Sequence, residues 1–171
     1  MNRRQWTLVA GAGALAALGG AGLALWRQPR DATGDLGLLW PQEFETPDGK
    51  TLAMRELRSR PLVVNFWATW CAPCVREMPQ LDRFHREFQA QGWQVVGLAI
   101  DQREPVREFL RKLPVGFPIA LGGFAGMELV RQLGNPQGGL PFTVVANREG
   151  RIVRRKLGET SFEELAPWAM S

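Results

Sequence analysis

Two cysteines stand three residues apart in Cys71-Ala72-Pro73-Cys74, and the chain of 171 residues contains no others. The run Leu62-Val63-Val64-Asn65-Phe66-Trp67 before them reads as a buried strand, and a helical pattern starts at Pro73. A thiol at that strand-to-helix junction faces unpaired backbone N–H groups and the positive end of the helix dipole. Both favour the thiolate, so Cys71 is expected to react near neutral pH. Pro73 suits a first helical turn, where its missing N–H costs nothing. Cys74, one turn along, is placed to attack a mixed disulfide formed by Cys71. The roles that follow are Cys71 as nucleophile and Cys74 as resolving thiol. Other uses of the pair fit less well. A closed zinc site needs four ligands, and beyond two cysteines the chain has a single histidine. A structural disulfide across so short a loop would restrict the unfolded chain little. No cofactor beyond the cysteine pair itself is called for.

The surrounding pattern is of alternating strands and helices. FETPDGKTL reads as two short extended pieces around Pro47-Asp48-Gly49. The helix from Pro73 runs to about Gln91, with Val75, Met78, Leu81, Phe84 and Phe88 as its apolar stripe and Gly92 as its stop. Gln94 to Ile100 is a further strand, apolar at successive positions as expected for one covered on both faces. Val106 to Leu113 and Met127 to Leu133 read as short helices. Pro114 to Gly123 reads as a short strand or irregular segment around Phe117-Pro118-Ile119. Phe142 to Ala146 and Ile152 to Leu157 form a hairpin, and a helix from about Phe162 closes the chain. This order predicts an α/β domain, a mixed sheet with helices on both faces.

The formal net charge of +4 does not belong to that domain. Arg3, Arg4, Arg27 and Arg30 all precede the first acidic residue, Asp31; setting them aside leaves 17 basic residues against 17 acidic ones. A nucleic-acid-binding domain would be expected to keep a basic surplus, so nucleic acid is not an expected partner. Thr7 to Trp26 is a charge-free run of 20 residues, long enough to cross a bilayer as a helix. Residues 1–27 are read as a signal anchor or export signal, 28–38 as a linker and 39–171 as the domain. Small-residue cleavage sites such as Ala14-Leu15-Ala16 fall inside the run, which favours a retained anchor over a cleaved signal. NRRQWTL also loosely matches a twin-arginine export signal. The expected location is the periplasmic side of the cytoplasmic membrane, held there by residues 7–26.

VVNFWATWCAPCVREMP resembles the active-site strand and helix of thioredoxins, and more closely those of TlpA/ResA-type proteins tethered outside the cytoplasmic membrane. Pro79 matches the proline that kinks the thioredoxin active-site helix, Gly139-Leu140-Pro141-Phe142-Thr143 the cis-proline loop, and VVANREGRIVRRKLGE the terminal hairpin. The stretch between Ile100 and Leu140 resembles the family's central insertion. The resemblance implies a thioredoxin fold with an N-terminal hairpin and that insertion, preceded by one apolar helix. It implies a substrate surface at Trp70, Pro73, Leu140 and Pro141. Asn65 stands where cytoplasmic thioredoxin has a buried aspartate, and an amide cannot carry that residue's proton. Glu77 matches a glutamate of the TlpA/ResA type. It is read either as a group that tunes or relays protons to the cysteines or as a solvated carboxylate near the helix start. His85 is read as a surface or half-buried histidine, the cluster Arg151, Arg154, Arg155 and Lys156 as solvated faces of a hairpin, and Trp67 as flanking the site or part of the core.

The function expected from these readings is reduction of disulfides in exported proteins, apocytochromes c among them, with a membrane-bound electron donor restoring the dithiol. A thiol oxidase, a thiol peroxidase and a non-catalytic peptide-docking module are the alternatives.

Overall fold

The computed structural model describes residues 34–170. The apolar helix expected over 7–26, and the boundary drawn at residue 27, lie outside those residues.

The order of elements follows from where β-branched and aromatic runs alternate with amphipathic ones. Strands β1 (Glu43–Glu45) and β2 (Thr51–Ala53) form the N-terminal hairpin, followed by β3 (Leu62–Trp67) and helix α1 (Ala72–Phe88). Next come β4 (Gln94–Ala99), α2 (Arg103–Lys112), β5 (Ile119–Leu121) and α3 (Gly123–Gln132). The chain closes with β6 (Phe142–Ala146), β7 (Ile152–Leu157) and α4 (Phe162–Ala169). All seven strands join one mixed sheet in the order β2-β1-β5-β4-β3-β6-β7. Strand β3 lies parallel to β4, with Leu62 opposite Gln94, and antiparallel to β6, with Phe66 opposite Phe142.

Because side chains alternate along a strand, β3 feeds two cores. Leu62, Val64 and Phe66 join one, which is closed by Leu36, Leu39, Met54 and the α3 residues Leu129 and Val130. Val63 and Trp67 join the other, which is closed by α1, α2 and α4 through Met78, Leu81, Val106 and Leu165. Both faces of the sheet are therefore covered, and all six residues of β3 are buried. The α1 stripe ends in stacked rings, Phe84 and Phe88, with centroids 4.8 Å apart. Gly92 takes a left-handed conformation, φ +91°, and ends the 3₁₀ turn that extends the helix.

Three expected boundaries move. Helix α2 starts at Arg103, because its first turn is charged and carries no apolar periodicity to mark it. Helix α3 starts at Gly123, in a glycine-rich stretch with low helix propensity. Gly126 packs closely there: a Cβ at that position would lie 2.7 Å from Ile100 Cδ1, which would have to shift. The linker expected over 28–38 ends earlier, since Asp35 bridges to Arg151 and Leu36 is fully buried. Burial of that leucine ties residues 34–39 to the domain.

Candidate active site

Strand β3 ends at Trp67, and the turn that follows delivers Cys71 to the N-cap of α1, with Pro73 in the first turn. No acidic residue occupies that first turn, so nothing there opposes the dipole's preference for a thiolate. Cys71 and Cys74 form a disulfide, S–S 2.07 Å. Cys71 is 7% exposed and Cys74 fully buried. An incoming thiol therefore reaches Cys71 and not Cys74, the asymmetry that separate attacking and resolving roles require.

The turn is held by Asp101, just past the end of β4. Its carboxylate accepts from the Thr69 backbone N–H at 2.9 Å and the Thr69 hydroxyl at 2.6 Å, and its other oxygen accepts from the Gln102 N–H at 2.8 Å. The loop leading into the nucleophile is thus tied across two neighbouring strands.

Below the disulfide lies a buried carboxyl. Glu77, one helical turn beyond Cys74, is fully buried, which removes the reading of it as a solvated carboxylate. Asn65 Nδ2 donates to Glu77 at 2.8 Å and to Thr143 Oγ1 at 3.0 Å, and the Thr160 backbone N–H donates to the second carboxylate oxygen at 2.8 Å. Burial pushes the Glu77 carboxyl up from its ordinary value to about 7, against the opposing pull of the Asn65 and Thr160 hydrogen bonds. A group poised there gains and loses a proton within the neutral range, as acid–base work requires.

Because Phe142 pairs with Phe66, the start of β6 lies on the same sheet edge as the end of β3. The Leu140–Pro141 peptide bond is cis. Asn135 Nδ2 donates to the Gly139 carbonyl at 2.7 Å, and the Gly158 N–H to the Pro141 carbonyl at 2.9 Å. Leu140 packs against the core that contains both cysteines. Exposed apolar side chains mark this end of the sheet: Trp70 at 69%, Leu157 at 57% and Phe124, just past β5, at 97%.

The structure thus brings Cys71, Cys74, Glu77, Trp70, Pro73, Leu140 and Pro141 to one end of the sheet. His85 stands apart, near Asp82 and Phe117, half-buried, with burial pushing its pKa down. Lys156 pairs with Glu164 at 2.5 Å and Arg155 donates to the Leu133 carbonyl, while Arg151 and Arg154 are exposed. Thr143, Thr160, Asp101, Leu157 and Phe124 were not singled out from the sequence. One signal was available for Glu77: Cys74, Glu77, Leu81, Phe84 and Phe88 are spaced three, four, three and four, a buried stripe that includes the glutamate.

A cysteine pair at the start of a helix that follows a central strand, with a cis-proline loop beside it, defines a redox protein of the thioredoxin fold. The chain belongs to the Redoxin family, whose pattern matches residues 37–166. It is similar to the thiol-disulfide oxidoreductase ResA of Bacillus thuringiensis, 28% identical over 119 residues, which cover 69% of this chain and 66% of that protein. The match thus spans just under two thirds of that relative's length. Among solved structures, a thioredoxin-related protein from Neisseria meningitidis serogroup B superposes with a TM-score of 0.67 at 29% identity, over 75% of this chain and 96% of that one. A thiol:disulfide interchange protein of the thioredoxin family from Chlorobium tepidum superposes at 0.70 and 21% identity, over 84% and 97%, which speaks to the fold.

Proposed function

We propose that the chain is an extracytoplasmic thiol–disulfide oxidoreductase that reduces disulfides in exported cysteine-containing proteins. The observation that carries this reading is the asymmetry of the pair: Cys71 reachable at the helix N-cap, and Cys74 buried one turn from Glu77. In the reduced enzyme the Cys71 thiolate attacks one sulfur of a substrate disulfide, and the other substrate sulfur leaves as a thiolate. Cys74 gives its proton to the Glu77 carboxylate and attacks Cys71 Sγ. The second substrate sulfur departs, and two electrons have passed to the substrate as the Cys71–Cys74 disulfide forms. The backbone of Leu140 and Pro141 holds the substrate strand, and Trp70 and Pro73 flank it. Leu157 and Phe124 extend that apolar rim.

Apocytochromes c awaiting haem attachment are among the substrates this chemistry suits. A membrane-bound donor returns the electrons, and residues 7–26 anchor the domain on the periplasmic side of the cytoplasmic membrane. The test is the reduction potential of the full chain in defined thiol–disulfide buffers. A value of about −270 mV or lower supports a reductase, whereas one of about −120 mV makes the protein an oxidant and overturns the direction of electron flow.

A further inference from the structure

The end of the sheet opposite Cys71 has a different surface. There the chain enters the domain: Leu36 N–H donates to the Gly150 carbonyl at 2.9 Å, and Ile152 N–H to the Gly34 carbonyl at 3.0 Å. Arg60 precedes β3, Trp93 precedes β4, and Arg148 and Arg151 belong to the β6–β7 turn, so all sit at this pole by the register of the sheet. Arg58, Arg60, Arg148, Arg151 and Arg154 are exposed. The opposing carboxylates nearby in the chain are Asp35, Glu56 and Glu149, in a domain whose charges balance only as a whole. On the exposed faces of α1 and α2, by contrast, cations are matched to acids one turn away, as in Arg83–Glu87 and Lys112–Glu108. Here Arg151 approaches Glu149 only at 3.8 Å. Arg60, Arg148 and Arg154 form no ion pair among the described residues.

Aromatic and apolar groups accompany these cations. Trp93 and Trp168 line a cleft of about 440 Å³ together with Arg148 and Arg154. Met170, 72% exposed, follows the cleft residue Ala169, and Leu38, 51% exposed, lies two residues past the buried Leu36. Exposed guanidinium groups beside indole and aliphatic side chains are what a protein surface needs to rest on a bilayer interface. Chain length fits as well. The seven residues from Arg27 to Thr33 link the apolar run to Gly34 and reach at most about 25 Å when extended, and Arg27 and Arg30 lie among them.

We infer that this pole is a docking face for an anionic lipid surface, which holds the domain with Cys71 directed away from the membrane. The inference rests on the anchored reading above for its tether, while the face itself follows from the domain alone. Six residues of β3 separate the two ends, so Cys71 stands on the order of 20 Å above the lipid headgroups. The electron donor must then present its thiols on a part that projects that far into the aqueous phase.

The test uses the full chain with phosphatidylcholine vesicles, with and without about one third phosphatidylglycerol. Flotation with neutral vesicles at high salt reports the anchor, and amide hydrogen exchange reports the face. The expected result is slowing on the order of tenfold or more in segments 36–40 and 147–151 on anionic vesicles only. Segment 69–71 stays unchanged, and R148E/R151E/R154E abolishes the slowing. Flotation without that slowing, or equal slowing at both poles, overturns the docking face and leaves the anchor standing. Slowing on anionic vesicles without flotation at high salt supports the face and removes the anchor; neither effect removes both.

Discussion

Replacing Glu77 by glutamine isolates a proton from everything else in the fold. In the oxidised domain the carboxyl is held neutral up to about pH 7, while in the unfolded chain it titrates near 4.5. Because the folded pKa is the higher one, the folded state binds more protons between those values, and stability falls as pH rises through that window. A displacement of about 2.5 units corresponds to about 3 kcal/mol, complete above pH 7 and absent below pH 4.5. Glutamine keeps the volume and an oxygen to accept one of the two hydrogen bonds, and it has no charge to desolvate. Its amide can also turn a donor toward Asn65 Oδ1, which has no partner among the described residues. Urea unfolding of both oxidised proteins at pH 5, 6, 7 and 8 gives the comparison. The wild-type curve should fall relative to E77Q by about 2 to 3 kcal/mol between the extremes, most steeply near pH 5.5 to 6. A constant difference across the series would refute the argument, since the carboxyl would then not titrate in that range. If E77Q also leaves the Cys74 titration and the exchange rate unchanged, Glu77 has no part in the proton transfer.

The remaining expectations can be checked with equally simple assays. C74S should accumulate a substrate mixed disulfide on gels run without reductant, and C71S should form none; full function in C71S would establish a docking module instead. W70A and L157A should lower kcat/KM for a protein disulfide about tenfold and leave a small aromatic disulfide unaffected. D101A should lose about 1–3 kcal/mol in denaturant unfolding, because the Thr69 N–H loses its acceptor, and D101N should recover most of that. In G97A the new Cβ would meet Ile119 Cδ1 at 2.5 Å and Trp67 Nε1 at 3.1 Å. That crowding between strands should cost about 1–3 kcal/mol, read as a lowered Tm.

The parts of this molecule that local pattern determines were legible in its sequence. Strand β3 and the stop at Gly92 fell where their residues placed them, because a β-branched run and a left-handed glycine act over a few positions. The cysteine pair was legible for the same reason, since a helix start is itself a local electrostatic device. The surroundings of Glu77 were not, because its hydrogen-bonding partner Asn65 is 12 residues away and Thr160 is 83 away. Asp101 escaped notice because the residue it holds, Thr69, lies 32 positions earlier. Leu157 and Phe124 look like ordinary ends of a strand and a helix until the sheet order sets them at the end that carries Cys71. For α3, glycines that serve close packing against Ile100 concealed a helix start.

The hydrogen bonds around Glu77 also impose a chronology. Cys71 and Cys74 are synthesised before either Thr143, 78 residues beyond Asn65, or Thr160, 83 residues beyond Glu77. A chain interrupted before Thr160 carries the complete reactive motif without the groups that insulate its carboxyl. During synthesis the thiols therefore exist before the groups that surround the carboxyl. The neutral-range acid beneath them is complete only once Thr143 and Thr160 are in place, so the carboxyl's character depends on residues made near the end of the chain.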